Sequence, residues 1–356
     1  MSDNVFTVKI NNINFADFTE IFVRKSMETL SGIAYFKTAN IYLQVQRKLD
    51  VFMQDSFEAF INKTSIIKGE VELIDLAYGQ EENFVKIGGR DKTGILVDCN
   101  WTNSVNEWKK QTILNLMNII CSAFDVSLFV DTSASGLVTK KIESFKINEG
   151  ETVFQSIKRL CSENRILPIS YGNNKLTLTS VSSNNFMKEN LQTGNFRILK
   201  GRTKQSNINR FSEYIVKGTG KETINKDLVS YLQLYGMSFD SVITNPDRKK
   251  VHLSETELDF NSAKEQAYYI RNLHAGYSRP YFYTVKDWVQ SNGELWKINS
   301  IISVDDKLLR LKKQLLIYQI DFIYNKQNGF ISKLYLIDKN TFTNNNVTIT
   351  SGFDKR

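Results

Sequence analysis

The chain has 356 residues, of which 41% are hydrophobic and 24% are charged, and its formal net charge is +8. This length suffices for two or three domains with their own cores, and the hydrophobic fraction excludes a chain that is disordered throughout. No run of about 18 apolar residues occurs, so no membrane-spanning segment is predicted. No secretory signal is expected either, because the N-terminus lacks a basic region followed by an apolar stretch.

Cysteine content bears on the compartment of synthesis, and charge distribution bears on the kind of binding partner. Cys99, Cys121 and Cys161 are odd in number and fit no metal motif by spacing, which predicts synthesis in a reducing cytosol. Residues 1–98 hold 11 basic and 14 acidic side chains, 99–185 hold 9 and 7, and 186–356 hold 26 and 17. The C-terminal half is therefore basic, and three interpretations stay open: a solvated face, a protein-contacting face and a nucleic-acid-binding face.

Residues 1–98 show the two-residue period of β-strands. Phe6, Val8 and Ile10 alternate with Val5, Thr7 and Lys9, and Asn11-Asn12 then gives a turn signal. Further strands are predicted over Glu20–Lys25, Gly32–Thr38, Val71–Tyr78 and Asn83–Gly88, the last two as a hairpin. The strongest helix candidate is Asp55–Asn62. This pattern predicts a small β-barrel or sandwich.

Residues 99–185 change to the helical period. Thr112 is predicted to cap a helix, because its hydroxyl can accept a free backbone N–H of the first turn. The inward face of that helix carries Ile113, Leu116, Met117, Ile120, Cys121 and Phe124. A second helix is predicted over Glu151–Glu163, followed by a hairpin of Leu167–Tyr171 and Lys175–Thr179. The region is predicted to be a compact α/β unit.

Residues 186–345 return to strands, with one helix predicted over Ser262–Leu273. The predicted strands are Phe211–Lys217, Pro280–Lys286, Glu294–Ile298 and a hairpin of Gln314–Tyr324 with Phe330–Ile337. From Lys339 the chain is polar and rich in Asn and Thr, which predicts a tail or an edge strand. The predicted fold class is mainly β with an α/β insert. The predicted domains are 1–98 (β), 99–185 (α/β), 186–345 (β) and a tail over 346–356.

Histidines and glycines give no signal of catalysis. His252 and His274 have no Cys, Asp or Glu partner at a useful spacing, and His274 is predicted to cap the end of a helix. Gly218–Thr223 superficially resembles a phosphate-binding loop. However, Ile215 replaces the first glycine and Glu222 replaces the Ser/Thr that would reach magnesium. A loop at the end of a strand is the better interpretation.

Adjacent carboxylates and tryptophans add no signal of catalysis either. The neighbours in Asp305-Asp306 and in Glu81-Glu82 point to opposite faces of an extended chain, so neither pair is predicted to act as acid and base. The tryptophans at 101, 108, 288 and 296 are predicted to be core or interface residues. No enzymatic activity, cofactor or metal is therefore predicted.

The segment after the first predicted hairpin is interpreted as a structural corner. It comprises Gly89, Arg90, Asp91, Lys92, Thr93 and Gly94. Its glycines allow backbone geometry that other residues resist, and Arg90 and Asp91 are expected to form a local ion pair. Ile95 and Val97 are expected to face a core from a continuing strand. An anion-binding nest is the alternative interpretation.

Several segments, taken in order, resemble one protein family. They are Arg24–Glu28 with Ser31-Gly32, Gly89–Gly94 with Asp98-Cys99, Trp108-Lys109, Arg210–Gly218 and Asp287-Trp288 with Gly293–Trp296. Their order and spacing are similar to those of the baseplate hub protein of Mu-like contractile phage tails, within the wider tail hub and spike-base family. The resemblance covers most of the chain, although an Asn/Thr-rich end replaces the family's charged C-terminal tail.

The resemblance implies a structural protein of the virion tail baseplate, synthesised in the host bacterial cytoplasm. It implies a homotrimeric ring in which each subunit contributes two tube-type β-barrels. Such a ring joins a sixfold tail tube or tube-initiator protein to a threefold central spike. It also contacts other baseplate (wedge) proteins and lets DNA pass through its lumen without specific binding. Strands within 196–220, with Arg210–Lys217 as the candidate, are expected to complete the first barrel.

Two other functions stay open at this point. A tail-associated hydrolase acting on the cell wall or on phosphate esters would need a cluster of His, Cys or carboxylate side chains. A basic nucleic-acid-binding protein is the third interpretation, based on the charge of the C-terminal half. The mass of the assembly separates the hub from the enzyme, because the hub is expected to be a stable trimer.

Overall fold

The computed structural model describes residues 5–11, 13–39, 50–181, 185–219, 233–254 and 258–354. The strands of the N-terminal region are β1 (Phe6–Ile10), β2 (Ile13–Phe15), β3 (Glu20–Ser26), β4 (Ile33–Ala39), β5 (Ser56–Ile61), β6 (Thr64–Ala77) and β7 (Phe84–Arg90). The predicted β6–β7 hairpin is confirmed. The predicted helix over Asp55–Asn62 is wrong, because β5 lies there between β1 and β6 and buries every second side chain, Phe57, Ala59 and Ile61.

The α/β unit follows, and its two predicted helices are confirmed. Its elements are α1 (Gly94–Asp98), β8 (Glu107–Thr112), α2 (Ile113–Ala123), β9 (Ser127–Val130), α3 (Ser135–Val138), β10 (Lys141–Lys146), α4 (Val153–Glu163), β11 (Leu167–Ile169) and β12 (Lys175–Thr179). Thr112 caps α2 as predicted, because its Oγ1 accepts a 3.2 Å hydrogen bond from the Asn115 amide. The inward faces of α2 and α4 form a core of their own.

The C-terminal region is again rich in strands. Its elements are β13 (Leu191–Gln192), β14 (Ile198–Thr203), β15 (Glu213–Thr219), β16 (Gln233–Phe239), β17 (Lys249–Leu253), α5 (Phe260–Tyr277), β18 (Tyr281–Lys286), β19 (Ser300–Asp306), β20 (Leu311–Asn325) and β21 (Gly329–Asp338). The predicted β20–β21 hairpin is confirmed. The predicted strand over Glu294–Ile298 is wrong: only Leu295 makes a bridge, to Val289, and the chain turns so that Trp296 enters the core. The fold class, mainly β with an α/β insert, is confirmed.

One continuous sheet joins the N-terminal and C-terminal regions. Eight of its strands lie in the order β14-β18-β21-β20-β3-β4-β7-β6, and every neighbouring pair is antiparallel. One buried cluster continues across both regions. β20 therefore connects the N-terminal strands to the C-terminal strands, because it pairs with β3. The expected completion by strands of 196–220 is wrong, because β14 pairs with β18 and β15 lies in a separate sheet, β16-β15-β17, covered by α5.

The same five-stranded arrangement occurs twice in this sheet. Unit 1 is β3, β4, β5, β6 and β7, and unit 2 is β14, β18, β19, β20 and β21. In each unit the first strand pairs with the second, the second with the fifth, the fifth with the fourth, and the fourth with the third. At the junction between the units, the fourth strand of unit 2, β20, pairs with the first strand of unit 1, β3.

The segment after β21 is packed against the protein but is not a strand. Three arginines that are at most 4% exposed hold it: Arg271 donates to the Val347 carbonyl (2.8 Å), Arg210 to the Ile349 carbonyl (2.8 Å) and Arg279 to the Ser351 hydroxyl (2.7 Å). The edge-strand alternative for this segment is therefore wrong over residues 339–354. None of the helices in the described ranges is long and apolar enough to span a membrane.

Candidate assembly site

The described part of the chain holds no group of three or more His, Cys, Asp or Glu side chains that could bind a metal ion. His274 lies in the last turn of α5, as predicted, but its Nδ1 is 2.7 Å from the Asn209 carbonyl oxygen of a preceding loop. Burial lowers the pKa of His274 and raises the pKa of Cys121 to about 12. Residues 220–223 of the loop that resembles a phosphate site lie outside the described residues.

The adjacent carboxylates of β19 face opposite sides, as predicted. Asp305 pairs with Lys312 at 3.5 Å, whereas Asp306 accepts a 2.9 Å hydrogen bond from the buried Tyr283 hydroxyl. Burial raises the pKa of Tyr283, so this hydroxyl keeps its proton. The tryptophans are core residues in the C-terminal region, where Trp288 and Trp296 are buried. Asp305 and Asp306 thus form contacts on opposite sides of β19 and are not arranged as an acid and a base.

Asp91 is the centre of the predicted corner. Its carboxylate is buried and accepts hydrogen bonds from the Gly32 amide (2.6 Å), the Thr93 amide (2.9 Å) and the Ser170 hydroxyl (2.9 Å), and from the Thr93 hydroxyl. Burial raises the pKa of Asp91, and these hydrogen bonds offset part of that rise. Burial also lowers the pKa of Lys25 to about 8, while the nearby Asp91 charge acts in the opposite direction.

Arg90 does not pair with Asp91, so the predicted local ion pair is wrong. Its Nε and Nη2 donate to the two Glu72 carboxylate oxygens at 2.7 and 2.9 Å, and its Nη1 donates to Asp98 at 3.1 Å. The Arg90 guanidinium holds the pKa of Asp98 below its usual range. The two adjacent side chains point to opposite faces of the chain. Arg90 lies on the outer face of β7, whereas the Asp91 carboxylate is buried against the Gly32 amide at the start of β4.

The glycines of the corner serve close packing. Neither Gly88, Gly89 nor Gly94 has a positive φ, so the expected reason for glycine there is wrong. A Cβ on Gly89 would lie 1.9 Å from the Glu70 carbonyl oxygen, and one on Gly88 would lie 2.4 Å from the Tyr35 ring. Glycine is therefore required at positions 88 and 89, because a neighbouring ring and a neighbouring strand occupy the space of a side chain there.

The chain continues from the corner as a helix, and the predicted strand over residues 95–97 is wrong. The Gly94 amide donates to the Asp91 carbonyl at 2.9 Å, which starts a turn that leads into α1. Leu96 is consequently the buried residue, whereas Ile95 is 41% exposed. Burial of residues 95–97 thus follows the helical period, and not the two-residue period of a strand that the apolar run Ile95-Leu96-Val97 indicated.

The corner joins unit 1 to the α/β unit. The Lys92 amide donates to the Asn174 side chain at 2.9 Å, and the Lys68 amide donates to the Gly172 carbonyl at 2.8 Å. Sequence reasoning missed Glu72, Ser170 and Asn174, because their contacts with the corner bridge long stretches of chain. Gly32 lies in a motif of the family resemblance, but its contact with Asp91 was not predicted. The Gly32 and Thr93 amides around Asp91 donate to its own carboxylate.

Two strand edges at the ends of the eight-stranded array carry no further strand among the described residues. One is β14, which pairs only with β18, and the other is the Leu73–Leu76 part of β6, which pairs only with β7. Apolar side chains lie along both edges: Leu73 is 37% exposed, Leu76 48% and Leu199 49%. Open edges with apolar side chains are sites where another chain can add strands.

Comparison with known proteins finds similarity to one class of protein. A family model described as the second domain of gp44-like baseplate hub protein matches residues 93–180. Another, the fourth domain of the Mu phage baseplate assembly protein GpP, matches residues 261–345. Both models describe phage baseplate proteins, so two separate parts of this chain are similar to that class of phage tail protein.

Within that class, the chain is similar to baseplate hub protein gp44 of Escherichia phage Mu. The two are 22% identical over 348 residues, which cover 95% of this chain and 89% of gp44. The 43 kDa tail protein of prophage MuSo2 from Shewanella oneidensis has the same fold, with a TM-score of 0.81, 22% identity and coverage of 95% and 99% of the two chains. A tail protein from Neisseria meningitidis superposes with a TM-score of 0.80 at 16% identity, covering 96% and 98%. The resemblance to Mu-like hub proteins is confirmed.

Proposed function

We propose that this protein forms a homotrimeric ring that joins the tail tube to the central spike of a contractile phage or phage-derived tail. The observation that carries the proposal is the tandem repeat of unit 1 and unit 2 in one sheet, with an open edge at each end. Identical copies with unlike edges associate head to tail, and such contacts form a ring when the rotation closes. Three copies would bring six similar units into one ring.

This arrangement suits the two symmetries at a tail baseplate. Six similar units match a sixfold tube, while three identical chains match a threefold spike. The proposed partners are therefore the tail tube or tube-initiator proteins on one side, the central spike protein on the other, and wedge proteins around the ring. The proposed place of synthesis is the host bacterial cytoplasm.

The face of the sheet opposite the core supports a proposed role as the lumen wall. The α/β unit and α5 lie with the core face, and a closed ring leaves the uncovered face inside. That face carries Arg24, Tyr35, Lys86, Lys333 and Tyr335, and Arg24 is neutralised by a pair with Asp321 at 2.7 Å. We include DNA passage without specific binding, because neutralised and scattered charges hold a phosphate backbone weakly.

The domain division remains part of the proposal. The β-rich regions 1–98 and 186–345, the α/β unit 99–185 and the terminal segment 346–356 would each have a separate place in the ring. The Gly89–Gly94 corner would fix the angle between unit 1 and the α/β unit. A metal-dependent cell-wall hydrolase is not favoured, because the described residues hold no group of three or more His, Cys, Asp or Glu side chains that could bind a metal ion.

The test is the mass of the purified protein. Light scattering at micromolar concentration and neutral pH should give about three times the 41.0 kDa chain mass. A monomer would contradict the ring. Gold-labelled antibody against this protein should mark the baseplate end of tails in micrographs of a producing lysate. A lytic band on a peptidoglycan zymogram, abolished by one point substitution, would favour the hydrolase instead.

A further inference from the structure

The β20–β3 junction shows how two units pair within one chain. Gln319–Asn325 run antiparallel to Glu20–Ser26, with Asp321 directly opposite Arg24. Arg24 donates from Nε to Oδ1 at 2.7 Å and from Nη2 to Oδ2 at 2.9 Å. Asp321 is only 2% exposed, so this bidentate pair is shielded from water on the carboxylate side.

Unit 1 contains a counterpart of Asp321. In β20 the register against β21 shifts between Ile317 and Gln319, and Asp321 follows two residues later. In β6 the register against β7 shifts between Val71 and Leu73, and Asp75 follows two residues later. The residues opposite the two aspartates are also alike, since Asp321 faces Lys333 and Asp75 faces Lys86. Asp75 therefore has the position in unit 1 that Asp321 has in unit 2.

Unit 2 contains a counterpart of Arg24, found by the same register. In unit 1, Lys86 lies opposite Lys37, and Lys37 lies opposite Glu20. In unit 2, Lys333 lies opposite Thr284, and Thr284 lies opposite Lys200. Glu20 and Lys200 are thus equivalent. Four residues after Glu20 comes Arg24, and four residues after Lys200 comes Lys204.

Asp75 and Lys204 are complementary but cannot meet within one chain. Both are exposed, and neither forms an ion pair within the described residues. They lie at opposite ends of the eight-stranded array. At about 4.8 Å per strand, those ends are roughly 30 Å apart along the sheet.

We infer that β6 of one copy pairs antiparallel with β14 of the next and with the residues just after it, in the register that places Asp75 opposite Lys204, the residue that follows β14. The inference rests on the proposed ring and adds which strands meet and how. The alternation of eight antiparallel strands makes the new pair antiparallel as well. An Asp75–Lys204 pair would then repeat, between chains, the Asp321–Arg24 pair within the chain.

Cysteine cross-linking tests the register. In the double variant Asp75→Cys/Lys204→Cys, directly opposite Cα atoms would lie about 4.5–5.5 Å apart, within the range of a disulfide. Mild oxidation should give covalent dimers and trimers on a non-reducing gel that disappear with reductant. The control Asp75→Cys/Arg202→Cys is two residues out of register, roughly 7 Å further along the strand, and should cross-link several-fold less. Each single variant measures the background from the native cysteines.

Charge exchange tests the ion pair. Asp75→Lys and Lys204→Asp should each weaken trimer formation about three- to tenfold, and the combination should restore it. Glu81→Lys makes the same change of charge in the exposed β6–β7 turn and should leave assembly unchanged. Failure of the combined variant to recover would overturn the ion pair.

The outcomes separate this inference from the proposed function. A wild-type trimer whose matched cysteine pair fails to cross-link, or cross-links no better than the shifted pair, overturns the inference and leaves the ring standing. A wild-type monomer, seen by light scattering in the same samples, overturns the ring itself. Covalent trimers from the matched pair alone support both.

Discussion

The Ser170 hydroxyl donates a 2.9 Å hydrogen bond to the Asp91 carboxylate, linking two buried residues that lie 79 positions apart in the chain. One residue follows β7 of unit 1 and the other follows β11 of the α/β unit. This contact therefore ties unit 1 to the α/β unit, whose strand β11 also buries Leu167 and Ile169 in the core of the large sheet.

Asp91→Asn should destabilise the protein by about 2–3 kcal/mol. The amide would direct its NH2 group at donors that now bind a carboxylate oxygen, leaving buried N–H or O–H groups unsatisfied. Urea unfolding followed by fluorescence gives the free energy. Glu81→Gln, in an exposed turn, is the control and should change it by less than about 0.5 kcal/mol. Equal effects of the two variants would show that the buried hydrogen bonds of Asp91 do not stabilise the fold.

Lys25→Met should make stability less dependent on alkaline pH. The pKa of Lys25 is lowered from 10.5 to about 8 in the folded state, so the unfolded chain binds more protons between those values. The folded wild type therefore gains stability relative to the unfolded state as pH rises from 8 to 10.5. Below pH 8 the cost of burying the charge is fully present.

The measurement for Lys25 is a pair of urea titrations at pH 7.0 and 10.0 on both proteins. Lys25→Met should be more stable than the wild type at pH 7.0, and the difference should shrink at pH 10.0. Comparison at each pH cancels the titration of tyrosines common to both. A difference that is constant with pH would contradict the lowered pKa.

Gly89→Ala should prevent normal folding or cost more than about 3 kcal/mol. Its Cβ would lie 1.9 Å from the Glu70 carbonyl oxygen, and backbone atoms of a paired strand cannot move aside cheaply. Gly79→Ala is the matched control, because its nearest neighbour would be 3.7 Å away. Circular dichroism melts and sizing chromatography report both effects. A Gly89→Ala protein that melts like Gly79→Ala would show that the strands can separate there.

Arg210→Met should cost about 3–5 kcal/mol and loosen the C-terminal segment. Arg210 and Asp240 form a buried bidentate pair at 2.5 and 2.9 Å, so removal of the cation leaves an uncompensated carboxylate. The substitution also removes the donor to the Ile349 carbonyl. Limited proteolysis should then cleave the segment after residue 345 faster than in the wild type. Lys249→Met is the control: Lys249 is exposed where it pairs with the partly buried Glu213, and its loss should have a much smaller effect on both results.

Features that depend on neighbours along the chain could be predicted from the sequence alone. The period of two gave the β6–β7 and β20–β21 hairpins, the period of 3.6 gave α2 and α4, and Thr112 marked a helix start. Ordered motifs such as Gly89–Gly94 also indicated the baseplate hub class. These signals are local because hydrogen bonds within a turn, and side-chain alternation along a strand, involve residues a few positions apart.

Contacts between distant elements could not be predicted and are seen only in the folded chain. Residues 56–61 became a strand because β1 and β6 flank them, and β20 came to lie beside β3 although almost 300 residues separate Asp321 from Arg24. The Asp91 carboxylate accepts hydrogen bonds from Gly32 and Ser170 and forms no ion pair with the adjacent Arg90. A strand pattern shows which face is buried but not which edge will pair. That choice depends on burial and backbone hydrogen bonding summed over the whole chain.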